Sequence, residues 1–236
     1  MKDLKNFVAL LSIGLLSGAD AVNYCQQNNI PQWQCDVCGG EISSTGPVQC
    51  SPFNATFDEL KAGQPVGIYK SAKWQGFTVV AGGSSPLPHV EPYSKPNDAS
   101  VGAGKFGIVT VGYSDGVAPG PPAQYPFGNL YSFHYACTVR NSSALAPQAV
   151  PGDCKITVKA QCKPTGDLIN GQTKEFDYDV TYIPNMNNSM SFHQGDPARD
   201  AGYACSNYTF SAVDLLNLPV PDLLVDSVLY RTLRNR

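Results

Sequence analysis

Residues 53–80 of the chain read FNATFDELKAGQPVGIYKSAKWQGFTVV, and residues 223–231 near its end read LLVDSVLYR. In both stretches large apolar residues alternate loosely with polar ones between turn residues, which is typical of β-strands. We expect strands from Phe53 to Leu60, from Val66 to Tyr69, from Trp74 to Val80 and from Leu223 to Thr232. Pairing of the first of these strands with the last would close the fold. The sequence therefore predicts an all-β protein, an antiparallel β-sandwich.

The composition agrees with a fold of many short strands. The 236 residues include 22 glycines and 19 prolines, and only 15% are charged, which favours turns and strands over long helices. The alternating pattern predicts further strands at residues 105–113, 131–139, 154–162, 174–183 and 207–213. The formal net charge is −3 and no long basic run is present, which argues against nucleic acid as a partner.

The first 21 residues have the anatomy of a secretory signal peptide. Lys2 and Lys5 precede an apolar run from Phe7 to Leu16, and the small-residue pattern Ala19-Asp20-Ala21 follows. We expect cleavage after Ala21 and a secreted, extracellular protein with no membrane span, because the apolar run is shorter than the ~20 residues that a spanning helix needs. Residues 22–52 lack periodicity and are predicted to form a short cysteine-rich extension, whereas residues 53–232 form the sandwich domain.

Four Asn-X-Ser/Thr sequons agree with export. N-glycans are attached to such sequences on the surface of secreted proteins. We therefore expect a glycoprotein with glycans on exposed loops or strand edges. The four acceptor candidates are Asn54, Asn141, Asn187 and Asn207.

The chain has eight cysteines, and an even number in an exported chain predicts disulfides. Cys154 and Cys162 lie on the core face of one alternating strand. In an extended strand their Cα atoms are about 26 Å apart at ~3.3 Å per residue, so the two cysteines cannot form a disulfide with each other. The strand that carries Cys137 is expected to run antiparallel beside this one. This arrangement favours the pairs Cys137–Cys154 and Cys162–Cys205.

The other four cysteines form a cluster near the start of the chain. They allow three connectivities, and the sequence does not choose among them. The Cys-X-X-Cys spacing within the cluster is also found in redox and zinc sites, but neither a strand-to-helix setting nor a second pair of ligands accompanies it. We therefore expect structural disulfides among Cys25, Cys35, Cys38 and Cys50.

Six short motifs occur in a characteristic order between residues 53 and 232. They are Thr56-Phe57-Asp58-Glu59-Leu60, Pro65 with Tyr69, Trp74 with Phe77, Ser94-Lys95-Pro96-Asn97, Phe127-Gly128-Asn129-Leu130-Tyr131-Ser132, and Val225-Asp226-Ser227-Val228. In this order the chain resembles secreted fungal proteins with a galactose-binding-like jelly roll. The resemblance implies that the sandwich has jelly-roll topology. It does not cover the cysteine-rich start of the chain or the cysteines from Cys137 to Cys205.

The resemblance also implies a structural calcium ion between the opening and closing strands. Asp58 and Asp226 are placed to bind it, with Glu59 as a third ligand. Calcium takes six to eight oxygen ligands, so backbone carbonyls would have to complete the shell. The alternative is that these acids lie at exposed strand ends. No other cofactor is predicted.

The segment from Ala81 to Ala103 is predicted to be a long loop rich in glycine, proline and polar side chains. Long loops inside compact domains are often functional, and sugar binding needs an aromatic face with a few placed polar groups. A solvated connector is the alternative interpretation of this loop, as a solvent-facing side chain is for His134. The candidate carbohydrate-binding residues are His89, Tyr93, Asn97, Tyr131 and His134.

The sequence thus predicts a non-catalytic module, not an enzyme, that binds carbohydrate of a cell wall or host surface. The main alternative is a fungal effector or surface protein that binds a host protein. A glycoside hydrolase or lyase ranks last, because it would need two carboxylates about 5 to 9.5 Å apart across a cleft. Sequence spacing does not support such a pair for Asp177 with Asp179, which are expected on the solvated face of a strand, or for Glu91 with Asp115.

Overall fold

The computed structural model describes residues 48–82, 90–112, 127–141, 148–168 and 170–235. The predicted signal peptide and most of the predicted extension lie outside these ranges, as does His89. Within the ranges there are twelve strands and one short helix, α1 (Pro197–Asp200). The strands are β1 (Val48–Ala55), β2 (Pro65–Tyr69), β3 (Ala72–Ala81), β4 (Asn97–Gly102), β5 (Gly107–Val111), β6 (Phe127–Asn141), β7 (Gln148–Pro151), β8 (Cys154–Pro164), β9 (Lys174–Tyr182), β10 (Ser191–Gln194), β11 (Tyr203–Asp214) and β12 (Asp222–Asn235).

The strands form one antiparallel sheet that closes on itself. Its order is β10-β6-β12-β4-β3-β5-β11-β8-β9, and an additional pairing joins β6 to β11. Strands β6, β12, β4, β3, β5 and β11 therefore form a closed six-stranded barrel, and the other strands extend it. The predicted all-β antiparallel class is confirmed. The predicted two-sheet sandwich of jelly-roll type is not confirmed, because β6 pairs with both β12 and β11 and so closes the sheet into a ring.

Ring closure depends on a close approach at Gly128. This residue pairs with Cys205 of β11 on one side and with Thr232 of β12 on the other. A Cβ atom at position 128 would lie 2.0 Å from the carbonyl oxygen of Arg231, closer than any side chain tolerates. Only glycine lets the strands meet here.

The first described strand pairs with the last, as the sequence predicts. Phe53 of β1 lies opposite Tyr230 of β12, and their rings stack at 5.7 Å. However, β1 begins at Val48 and ends at Ala55, so residues 48–52 belong to the sheet and not to the extension. The predicted strand does not continue to Leu60, because Phe57 has φ 63° and its carbonyl accepts a hydrogen bond from the Leu60 amide in a turn.

Aromatic rings fill the interior of the barrel. Trp74 packs edge-on against Phe57, Phe77 and Tyr230 at centroid distances of 5.0, 5.3 and 6.2 Å. The gap left inside the ring, lined in part by Tyr208 and Leu130, is too small to hold a water molecule. This part of the described interior is therefore filled by side chains.

Both predicted disulfides of the second cysteine set are present. Cys162 and Cys205 are directly opposite each other on β8 and β11, with Cα atoms 3.8 Å apart. Cys137 and Cys154 are joined across a Cα distance of 6.2 Å. The strand arrangement expected for Cys137 and Cys154 was wrong, because β7 rather than β8 pairs with the end of β6 that follows Cys137.

Cys50 is also disulfide-bonded. The connectivity of its cluster, with Cys25, Cys35 and Cys38, lies outside the described residues. No helix in the described part of the chain is long and apolar enough to cross a membrane.

Candidate functional site

The candidate site lies on the outer face of the barrel, where β10, β6 and β12 run side by side. Phe192 of β10 lies opposite His134 of β6, and His134 lies opposite Asp226 of β12. Side chains directly opposite each other on neighbouring strands project from the same face of the sheet. Residues 90–96 cross this face.

Three rings form an exposed aromatic patch, which we define as Tyr93, His134 and Phe192. The Tyr93 and His134 rings stack with centroids 3.6 Å apart and planes 11° apart, and the His134 and Phe192 centroids are 4.9 Å apart. Tyr93 is 67% exposed and Phe192 is 53% exposed. The patch is therefore a broad ring surface open to solvent.

His134 is the half-buried centre of the aromatic patch. Burial lowers the pKa of its imidazole to about 4, because desolvation disfavours the charged form. Its Nδ1 atom is buried and has no hydrogen-bond partner among the described residues. The imidazole is consequently neutral at physiological pH, and the patch carries no charge of its own.

Hydrogen bonds to Asp226 hold the covering segment in place. The Ser94 amide donates to Oδ2 at 2.6 Å, and the Ser94 hydroxyl donates to Oδ1 at 2.7 Å. The Ser227 amide also donates to Oδ1 at 2.6 Å. Because Ser94 follows Tyr93 directly, these bonds fix the backbone that carries the tyrosine ring.

The Asp226 carboxyl is fully buried. Burial raises its pKa to about 6, although the Ser94 and Ser227 donors oppose this shift. Asp98 of β4 is a second buried acid near it. Burial, with the charges of Asp226 and Asp222, raises the pKa of Asp98 to about 8. In the part of the chain that the structure describes, its Oδ1 atom has no hydrogen-bond partner. Asp98 therefore holds its proton at neutral pH.

Asn97, a predicted sugar contact, instead stabilises the turn after β1. Its side chain is buried, and its Nδ2 atom donates to the Leu60 carbonyl at 2.8 Å and to the Asp58 carbonyl at 3.3 Å. Its backbone amide donates to Asp58 Oδ1 at 3.2 Å. The Asn97 amide group is thus committed to the protein and is not available to a ligand.

The contacts described for Tyr131 are with α1 and β10. It lies at an irregularity of β6, because the register against β12 shifts between Ser132 and Leu130. Its ring contacts the Arg199 guanidinium at 5.0 Å, and its hydroxyl accepts a hydrogen bond from Gln194 at 3.3 Å. Of the predicted sugar contacts, the structure therefore brings together Tyr93 and His134, and His89 lies outside the described residues.

The predicted calcium ligands have other partners. Glu59 Oε1 forms an ion pair with Lys70 at 2.7 Å, Asp58 accepts the Asn97 amide, and Asp226 accepts hydrogen bonds from Ser94 and Ser227. Across the part of the chain that the structure describes, no three His, Cys, Asp or Glu side chains are grouped to hold a metal ion. The three carboxylates do not fit a calcium shell.

The acids of β9 lie on its solvated face, as predicted. Asp177 and Asp179 are exposed, and Asp179 accepts a hydrogen bond from the Thr157 hydroxyl at 2.6 Å and pairs with Lys155 at 3.4 Å. The Thr157 hydrogen bond, followed by the Lys155 charge, lowers the pKa of Asp179. Asp179 is therefore an exposed residue that pairs across the strands with Thr157 and Lys155.

Sequence reasoning missed Phe192. No strand is predicted for the stretch around it, since β10 has only four residues and a single large apolar side chain. No periodic signal marks so short an edge strand. Only its pairing with β6 shows that Phe192 extends the aromatic patch.

A second exposed apolar feature lies in the turn between β11 and β12. Leu215, Leu216 and Leu218 are 67%, 78% and 56% exposed, and we call them the leucine turn. The Asp214 carboxylate accepts hydrogen bonds from the amides of Leu216 at 2.8 Å and Leu218 at 2.9 Å. The turn is therefore ordered while its leucines face solvent.

Comparison with known proteins gives no further assignment. No protein-family model matches the chain, and no curated protein is significantly similar to it. The geometry of the aromatic patch and of the leucine turn is consequently the basis for the function proposed below.

Proposed function

We propose that the protein is a secreted, glycosylated, non-catalytic module that binds carbohydrate of a cell wall or host surface through the aromatic patch. One observation carries this proposal: an exposed Tyr93 ring stacks at 3.6 Å on the neutral imidazole of His134, next to an exposed Phe192. The C–H faces of a sugar ring are apolar and pack against such ring surfaces, whereas the sugar hydroxyls need polar partners at the edge.

Two features make the aromatic patch suitable for this role. It is held in place before binding by the Ser94–Asp226 hydrogen bonds, so little conformational entropy is lost when a ligand binds. It is also uncharged, which keeps the cost of desolvation low. Glu91 and Lys95, which are exposed and 3.7 Å apart in an ion pair, flank Tyr93 and supply polar groups for sugar hydroxyls.

The proposal assigns no reaction to the patch. Asp226, the carboxyl opposite His134 in the sheet, is fully buried and accepts hydrogen bonds from three donors. Such a carboxyl is not placed to attack or protonate a glycosidic bond from the outer surface. The patch is therefore a binding surface.

A glycan array followed by calorimetry with the retained oligosaccharide tests the proposal. Tyr93→Ala is expected to weaken binding roughly three- to tenfold, because an aromatic contact contributes about 0.5–1.5 kcal/mol. Phe192→Ala is expected to act in the same direction. The matched control is Phe106→Ala, since Phe106 is also exposed but lies outside the patch, and it should leave the affinity unchanged. Retention of no glycan by the wild-type protein, or equal losses in all three variants, would contradict the proposal.

We also propose kinship with the galactose-binding-like jelly-roll proteins of fungi. The pairing of β1 with β12 supports it, because the expected closure of the fold by its first and last strands is present. The β6–β11 pairing closes the sheet into a ring and departs from two facing sheets of jelly-roll order, so the kinship is tested by the order of the six motifs. Absence of these motifs in this order from the fungal jelly-roll proteins would contradict it.

The leucine turn favours a second candidate function, that of an effector or surface protein that binds a host protein. Exposed apolar side chains on an ordered turn are suited to insertion into a partner's pocket. Crosslinking to host surface proteins, followed by mass spectrometry, tests this candidate. Leu216→Ser should abolish capture of a specific partner while leaving glycan binding intact, and undiminished capture would contradict it.

A further inference from the structure

The loop from Asn185 to Ser189 borders the aromatic patch. The Glu91 amide donates to the Asn188 carbonyl at 3.1 Å, and Glu91 forms a parallel β-bridge with Ser189. Tyr93 follows Glu91 by two residues, and Phe192 follows Ser189 by three. Because two and three residues of extended chain span at most ~7 Å and ~11 Å, both exposed rings lie within a short distance of this loop.

Asn187 lies at the exposed tip of the loop. The Asn185 side-chain carbonyl accepts hydrogen bonds from the backbone amides of Asn187 at 3.1 Å and Ser189 at 3.0 Å. Asn188 between them has φ 51°. The loop is a compact turn fixed by Asn185, and the Asn187 side chain at its tip is exposed.

The other two sequons whose acceptor side chains are described lie in strands. Asn207 is in β11, where its Oδ1 accepts from the Thr110 hydroxyl at 2.8 Å and its Nδ2 donates to Ser206 at 3.3 Å. Asn54 is in β1, and its Oδ1 atom is buried. N-glycosylation acceptors belong to surface loops, so of these three residues Asn187 is the suitable acceptor.

We propose that an N-glycan on Asn187 lies on the aromatic patch and competes there with the carbohydrate ligand. This inference rests on the proposed function, which includes export and glycosylation. A tethered ligand acts at an effective concentration in the millimolar range when its linker spans the two sites. The Asn187 glycan therefore occupies the patch even when its intrinsic affinity is weak, and it lowers the apparent affinity for an external glycan.

The modification itself requires a lipid-linked oligosaccharide diphosphate as the donor. A bond forms between Asn187 Nδ2 and C1 of the first sugar, and the bond between C1 and the diphosphate oxygen breaks. The lipid diphosphate leaves with the electron pair, and the amide nitrogen loses one proton to a base. Neither oxidation nor reduction takes place.

The test uses the full chain expressed through a eukaryotic secretory pathway. Peptide mass mapping first measures glycan occupancy at Asn187. Nitration of Tyr93 by tetranitromethane then measures the exposure of the patch without any added ligand. The compared proteins are the wild type, Asn187→Gln, Ser189→Ala as a second means of removing the sequon, and Asn207→Gln as the control for loss of a sequon elsewhere.

Nitration of Tyr93 is expected to be at least threefold faster in Asn187→Gln and Ser189→Ala than in the wild type and Asn207→Gln. External glycan should bind roughly two- to tenfold more tightly to the first two variants. An unmodified Asn187, or equal nitration in all four proteins, would overturn the inference. Shielded Tyr93 in a protein that binds no glycan with or without the sequon would support occupation of the patch and contradict the proposed function.

Discussion

Asp98 is a carboxyl buried in a sheet with no cation beside it among the partners described. Burial and the charges of Asp226 and Asp222 raise its pKa to about 8. The covering segment accounts for this burial, since Ser94 is bonded to the neighbouring strand and Pro92 lies directly over Gly82, where a Cβ atom would be 2.1 Å from the proline ring. The segment that fixes Tyr93 on the surface therefore also covers two acids, Asp98 and Asp226.

The buried acids predict a pH dependence of stability. The folded pKa of Asp98 lies above its ordinary value of 3.8, so the folded state binds the proton more tightly than the unfolded state does. Its stabilising contribution is complete below about pH 4 and is lost as the pH rises through about 8. Asp226, with its pKa raised to about 6, acts in the same direction, and the melting temperature should fall between pH 5 and pH 9.

Asp98→Asn isolates this effect because the amide resembles the protonated acid. We expect it to raise the melting temperature at pH 9 by at least ~3 °C and to change it much less at pH 4, where Asp98 is protonated in the folded protein. Thermal unfolding monitored by circular dichroism at both pH values is the measurement. Asp177→Asn, on the exposed face of β9, is the control. An equal change in melting temperature at both pH values would contradict the raised pKa of Asp98 in the folded protein.

At the scale of the elements, strands with a regular two-residue pattern could be predicted from the sequence. In β8 the buried positions alternate from Cys154 through Ile156 to Cys162, and the prediction was correct. The β4 segment Asn97–Gly102 was predicted to be a loop, because its sequence NDASVG contains a single large apolar residue. Five of these six residues are nevertheless buried, since the barrel packs one of their faces and residues 90–96 cover the other.

The aromatic patch shows the same limit of prediction. Tyr93 and His134 were recognisable as an aromatic and a polar ring near loops, but their stacking depends on a tertiary contact between residues 41 positions apart. Asn97 was misassigned because a buried amide that bonds the Leu60 carbonyl and an exposed amide that bonds a sugar have the same sequence signature. Residue type identifies the chemistry of a side chain, whereas only the fold decides its partner.

The disulfides make a prediction at this scale. Replacing Cys162 and Cys205 with alanine is expected to lower the free energy of unfolding by about 2–4 kcal/mol. The same change at Cys137 and Cys154, which are 17 rather than 43 positions apart, should cost about 1 kcal/mol less on the chain-entropy model. Urea-induced unfolding of the folded variants provides the comparison. Wild-type stability in both variants would indicate that the disulfides contribute nothing to this fold.

For the molecule as a whole, aromatic rings fill the described part of the barrel interior. Trp74 and its neighbouring rings pack there and support the strands that carry the outer surface. The described surface of the barrel includes the aromatic patch and the leucine turn. The first is neutral and flat and suits a sugar ring, whereas the second suits an apolar pocket of a protein.

The most direct test of carbohydrate binding at the aromatic patch is nuclear magnetic resonance of the isotope-labelled protein during titration with an oligosaccharide that the array retains. We predict shifts confined to Tyr93, His134, Phe192 and the segment 90–96, with the imidazole remaining neutral at pH 7. Shifts confined to the leucine turn, or no shift at the three rings with saturating ligand, would contradict the account.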